Sequence, residues 1–155
     1  MSYSDQLQAI ANQYFTEHDG TATAKEIAAW AIRTGRWAPQ PGSVIEQCAE
    51  ELSRAMREEY ITDQQGREVR AKHAARLREE NGKQVTLWAD IRTASPEHME
   101  RAFGQRRKQI LGDCRQLKAD VDSYNDNRQP ENPIQVVFDF TLDLAELEAA
   151  RSSAA

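Results

Sequence analysis

A chain of 155 residues that is 39% hydrophobic and 29% charged can form one domain with an appendage, or two small domains, provided its apolar positions are well patterned. No apolar run approaches the roughly twenty residues of a membrane helix, and no basic-then-apolar leader opens the chain, so a soluble, cytoplasmic protein is expected. The net charge of −5 is unevenly spread: residues 1–60 carry five Lys and Arg against nine Asp and Glu, residues 61–118 thirteen against eight, and residues 119–155 two against eight. Only the middle third therefore offers a surface for phosphate, and the acidic end either competes for that surface or keeps the chain soluble.

In chain order, residues 4–18 place Leu7, Ile10, Ala11, Tyr14 and Phe15 at helical spacing, and Asp19-Gly20 stops the helix. Thr23-Ala-Lys-Glu26 has the form of a capping box, opening a second helix with Ile27, Trp30 and Ala31 on one side and Gly35 as its left-handed stop. After the loop Trp37–Gly42, Ser43-Val-Ile-Glu46 repeats the capping pattern. It predicts a third helix to about Glu59 with Ile45, Cys48, Ala49, Leu52, Ala55 and Met56 as its core face. Cys48 and Cys114, each on the apolar stripe of a different helix, read as buried free thiols.

The period then changes. Val69, Ala71, His73, Ala75 and Leu77 alternate with Arg70, Lys72, Ala74, Arg76 and Arg78, a strand pattern, although the alanines and arginines also suit a helix over 72–80. Tyr60-Ile61 can form a short strand entering this region, and Asn81-Gly82 is a hairpin signal before Val85, Leu87, Ala89 and Ile91 alternate in turn. A strict two-residue turn would set Arg76 opposite Leu87 and His73 opposite Asp90, mixing the two faces. A bulge or a three-residue turn sets apolar opposite apolar and is expected instead.

Ser95-Pro96-Glu97 starts a long helix. Within it Ile110, Cys114, Leu117, Val121 and Tyr124 recur at 4, 3, 4, 3, a narrow seam of coiled-coil type that either packs within the chain or forms a homodimer. Asn125–Pro133 is a turn-rich break, after which Ile134, Val136, Phe138, Phe140 and Leu142 alternate strictly with Gln135, Val137, Asp139, Thr141 and Asp143. A terminal strand over 134–142 is expected, joining the wing sheet or offered to a partner, with a short helix from about Leu144.

The stretch TAKEIAAWAIRTGRW, with Thr23, Ala24, Lys25, Glu26, Ile27, Gly35 and Trp37 as its matching positions, resembles the second helix of the HARE-type winged helix-turn-helix domain, and the resemblance covers residues 4–61. Domains of that kind occur beside restriction enzymes, in chromatin-associated proteins and in a bacterial RNA polymerase subunit. The resemblance implies a place near DNA or the transcription machinery, with DNA or protein as ligand. The fold expected is α+β: a winged helix with its hairpin wing over 1–93, then 94–155 as a long amphipathic helix and terminal strand, packed on the first domain or used for dimerisation.

The third helix, which reads the major groove in a helix-turn-helix, here turns outward Glu46, Glu50, Glu51, Glu58 and Glu59 against only Arg54 and Arg57. An acidic face repels phosphate, so it reads as a solvated surface. The wing is better suited: Arg67, Arg70, Lys72, Arg76 and Arg78 form a row able to follow a phosphate backbone, or equally to protect an edge strand from aggregation. Arg106, Arg107 and Lys108 give the long helix a basic side, solvated or phosphate-contacting. Arg36 and Trp37 are candidate interaction residues beside the seam residues Ile110, Leu117 and Val121, although Trp37 can instead pack beneath its loop.

His18, His73 and His98 are scattered. Asp120, Asp122 and Asp126 do not converge on one side of a helix, and phosphate-loop and zinc spacings are missing, so no enzyme, cofactor or metal is expected. The leading expectation is a non-enzymatic DNA-associated or transcription-related factor contacting phosphate. Its rivals are a protein-interaction module on a winged-helix scaffold, or an accessory subunit of a nuclease or mobile-element complex.

Overall fold

A computed structural model describes residues 2–39, 42 and 44–154. The described chain is mixed α+β: helices α1 (Tyr3–Glu17), α2 (Ala24–Arg33) and α3 (Val44–Glu58), strands β1 (Tyr60–Thr62), β2 (Glu68–Arg70), β3 (Lys72–Arg78) and β4 (Gln84–Asp90), and helices α4 (Pro96–Arg128) and α5 (Thr141–Ala154). The strands form two small antiparallel sheets, β1–β2 and β3–β4. The chain divides into two compact units, Met1–Glu51 and Leu52–Ala155, with the division inside α3.

In the first unit both helix starts are set by local chemistry. Ser2 and Asp5 cap α1 reciprocally, and Thr23 and Glu26 do the same for α2, the Glu26 N–H donating to Thr23 Oγ1 at 3.1 Å and the Thr23 N–H to Glu26 Oε2 at 2.8 Å. Gly35, at φ +72°, turns the chain at the end of α2 so that the N–H groups of Arg36 and Trp37 both donate to the Ala31 carbonyl. That turn aims two side chains back at α1. The Arg36 guanidinium lies 4.4 Å from the centroid of the buried Trp30 ring and donates to Gln13 and Glu17, while Trp37 Nε1–H donates to the Tyr3 hydroxyl at 2.8 Å. Tyr14 and His18 stack on each other and both meet Trp30 edge-on.

The capping box expected at Ser43 lies outside the described residues. The core face expected of α3 is corrected: Ile45 is 81% and Leu52 55% exposed, Cys48 is exposed, and Met56 alone of that stripe is half-buried. An amphipathic stripe marks a face that can be buried, and it gains nothing until a partner face covers it. Both cysteines are free, as expected, but neither is buried, Cys114 being half-exposed.

In the second unit the single alternating run over 69–77 is broken at Ala71. Its N–H donates to the Glu59 carbonyl and its carbonyl accepts from Ile91, so this fully buried residue links the two sheets. β1 pairs with β2 around a turn in which Asp63 Oδ1 accepts from the N–H groups of Gln65 and Arg67. β3 pairs with β4 through a three-residue loop, Glu80-Asn81-Gly82, with Gly82 at φ +82° and its N–H on the Glu79 carbonyl. The extra residue sets Ala75 opposite Leu87 and Leu77 opposite Val85, so apolar meets apolar as the alternation requires.

Ser95 caps α4, Pro96 opens it, and it runs without interruption for 33 residues to Gln129, whose left-handed conformation (φ +46°) ends it before Pro130. Its first turns pack on β3, and Ala71, His73, Ala75 and Ala102 are the buried residues of this unit.

The expected strand over 134–142 does not form. Residues 133–140 belong to no ladder, and α5 begins at Thr141, inside the predicted strand and ahead of the Leu144 start expected for a helix. The physical reason is local hydrogen bonding at both ends of the segment. Asn125 takes both backbone groups of Ile134, accepting from its N–H at 3.0 Å and donating to its carbonyl at 2.8 Å. Asp139 Oδ1 then accepts from the Thr141 N–H, which favours the start of a helix. Strict alternation makes a strand only where another strand offers hydrogen bonds.

Candidate nucleic-acid interface

The alternation of β3 and its register with β4 bring Lys72, Ala74 and Arg76 together with Thr86 and Trp88. Along α4, Ala102, Gln105, Arg106 and Gln109 recur at helical spacing and border the same space, and Arg57 from the last turn of α3 and Arg70 from β2 complete it. The result is a groove of about 280 Å³ with five cationic side chains in its wall.

These cations are not equivalent. Lys72 is neutralised, its Nζ donating to Glu59 at 3.0 Å and Asp90 at 3.2 Å, and these carboxylates raise its pKa. Asp90 in turn is held well below the ordinary carboxylate range, first by Arg92, which donates from its side chain and its backbone N–H, and then by Lys72. Arg57, Arg70, Arg76 and Arg106 have no ion pair among the described residues. Arg106 is pushed below its ordinary value by burial and then by the positive charge of Arg70. The Arg57 guanidinium lies 5.5 Å from the centroid of the Trp88 ring, half-buried in the same wall.

The wall is held by polar contacts that the alternation of residues does not reveal. Gln105 Oε1 accepts from the Arg76 N–H at 2.7 Å and its Nε2 donates to the Arg76 carbonyl at 2.8 Å, so one amide pairs with both backbone groups of one β3 residue as a neighbouring strand would. His98 Nε2 bonds the His73 carbonyl, and His73, buried with its Nε2 on the Arg70 carbonyl, meets the Phe103 ring edge-on at 5.3 Å. Burial holds the His73 imidazole below its ordinary pKa, helped by Arg106, Arg70 and His98 and opposed by the bond to the Arg70 carbonyl. A neutral imidazole facing a carbonyl must donate, so Nε2 carries the proton.

Of the eight basic residues singled out in the sequence, Arg70, Lys72, Arg76 and Arg106 share the groove. Arg67 sits in the β1–β2 turn, its Nε 2.8 Å from Asp63 Oδ2, and Arg78 lies at the hairpin tip beside Glu79 and Glu80. Arg107 and Lys108 are exposed on other sides of α4. Arg57 and Gln105 were missed. Arg57 belongs to an acidic helix face, and nothing in its spacing ties it to a hairpin; a glutamine four residues before Gln109 on the face of Ala102 was the only trace of the second. Among the candidate interaction residues, Arg36 and Trp37 are occupied with α1, Ile110 and Leu117 are exposed, and Val121 is half-buried.

The groove offers guanidinium donors, the Gln109 amide and an indole around a concave surface, the chemistry of an oxyanion receptor. Among the described residues, no helix is long and apolar enough to cross a membrane, and no group of His, Cys, Asp and Glu is placed to hold a metal ion. No protein-family model, curated protein or solved structure matches this chain.

Proposed function

We propose that this protein is a non-enzymatic, DNA-associated factor that contacts the phosphate backbone through the groove between the β3–β4 hairpin and α4. The observation that carries the reading is the set Arg57, Arg70, Arg76 and Arg106, four cations without ion pairs among the described residues, around one concave surface. On this reading α1–α3 and the following hairpin are the elements of a winged helix, and the hairpin with α4, rather than the acidic α3, faces the nucleic acid. The resemblance of residues 23–37 to HARE-type domains supports the same assignment, including a place beside transcription or nuclease machinery.

The test is fluorescence anisotropy of a labelled duplex across a salt series. Four phosphate contacts give a slope of log K against log salt of about −3.6, a loss of about 150-fold between 50 and 200 mM. Arg70→Ala with Arg106→Ala should reduce that slope by about 2 and weaken binding on every sequence alike. A protein that ignores duplex DNA at low salt, or binds it with neither salt dependence nor sensitivity to these changes, refutes the proposal. The uncovered apolar side chains of α3 favour a second reading, a protein-interaction module, for which the groove variants would leave partner binding intact.

A further inference from the structure

We infer that α4 pairs with α4 of a second copy, in parallel and in register, through Ile110, Cys114, Leu117, Val121 and Tyr124. The inference stands apart from DNA binding. The chain exposes 13263 Å², whereas two separate globular domains the size of its units would expose about 9,400 Å². The surplus, about 3,900 Å², is more than one partner contributes to an obligate interface, about 1,000–2,500 Å². It is therefore large enough to include such a face.

The helix itself says where part of that face lies. The last residue of α4 in the groove wall is Gln109, and the seam begins at the next position. Beyond that point Ile110 (53%), Leu111 (62%), Leu117 (45%) and Tyr124 (49%) are exposed, while the helix continues to Arg128. The 4, 3, 4, 3 spacing is self-complementary, which argues for the same surface on a second chain. Counting a→d as three residues, Cys114 and Val121 occupy a, and Ile110, Leu117 and Tyr124 occupy d. Val at a with Leu at d suits two strands.

Charge selects the direction. Asp113 and Asp120 flank the seam on its g side and Lys118 on its e side. In a parallel pair g of one helix meets e five residues on in the other, so Asp113 faces Lys118 of the second copy, twice by symmetry. In an antiparallel pair g meets g and Asp113 faces Asp120. Lys118 now holds Asp122 at 2.6 Å, but that pair is exposed and worth little, so it can be shared. A parallel pair also sets the two basic grooves at the same end of the dimer, just before the seam.

Light scattering on the intact protein over a concentration series should approach twice the chain mass. In Cys48→Ser protein, oxidation with copper phenanthroline should give a Cys114–Cys114 disulfide, because a meets a only in the parallel register; in the antiparallel one Cys114 meets Leu117. Leu117→Glu should abolish both results while circular dichroism stays unchanged. Asp113→Lys should weaken the dimer, and adding Lys118→Asp should restore it. Arg70→Ala should leave the mass unchanged, which separates this inference from DNA binding. A monomer at every concentration, a dimer that never crosslinks through Cys114, or one indifferent to Leu117→Glu and the charge exchange overturns it.

Discussion

Gln105→Ala tests whether α4 is held to the hairpin by the amide clamp on Arg76. The change removes two hydrogen bonds, 2.7 and 2.8 Å long, to the two backbone groups of Arg76. Each such bond contributes about 0.5–1.5 kcal/mol net, and the Arg76 backbone is exposed enough for water to replace part of the loss. A cost of about 1–2 kcal/mol follows, with alanine's better helix propensity recovering only a few tenths. The direct readout is amide hydrogen exchange at Arg76, which should quicken roughly 5- to 30-fold, with protection around Trp30 in the other unit unchanged. Gln105→Glu sharpens the test. Its carboxylate can still accept from the Arg76 N–H but places a second oxygen against the Arg76 carbonyl, so it should be at least as damaging as alanine at neutral pH. Below its ordinary pKa of about 4.3 it regains a donor and should recover relative to alanine. Unchanged exchange at Arg76 in Gln105→Ala would mean that the other contacts of α4 with β3, such as the His98 bond to the His73 carbonyl, hold the helix, and would refute the clamp.

Three further outcomes are expected. Because the folded state holds His73 below its ordinary pKa, the unfolded chain takes up the extra proton as pH falls past about 6.5; the His73 contribution is complete above that value and is lost as pH falls through the lower folded value. The thermal stability of the second unit should therefore fall as pH drops below about 6.5, and His73→Gln should flatten the profile; a melting temperature that rises on acidification would be incompatible with a buried neutral imidazole. Thr23→Ala removes the α2 cap and should cost about 1 kcal/mol, read from Trp30 fluorescence on unfolding, with no shift expected at Trp88. Asn125→Ala frees both backbone groups of Ile134 and should raise protease cleavage over residues 130–140, while equal resistance would show the segment to be held by other contacts.

Elements fixed by neighbours in the chain were legible in the sequence. The Thr23 capping box, the Gly35 stop, the Pro96 start and the β3–β4 loop, whose extra residue follows from two faces that must not mix, all depend on groups a few residues apart. The places where the reading failed are those where a distant surface decides. Alternation over 134–142 was stronger than in β3, yet β3 pairs with β4, while among the described residues this segment pairs with no strand and bonds Asn125 instead. The apolar stripe of α3 was as regular as that of α2, yet Trp30 and Ala31 are covered and Ile45 is not.

The candidate site divides in the same way. From the sequence alone came the surplus of positive charge in residues 61–118 and four of the groove's five cations, because charge and period are properties of the chain. Which cations remain available was settled by folding: Asp63 took Arg67, Glu59 and Asp90 took Lys72, and Arg57 arrived from an acidic helix. A sequence sets what each side chain can bond to; proximity in three dimensions decides which of those bonds are already made, and only the unmade ones remain for a ligand.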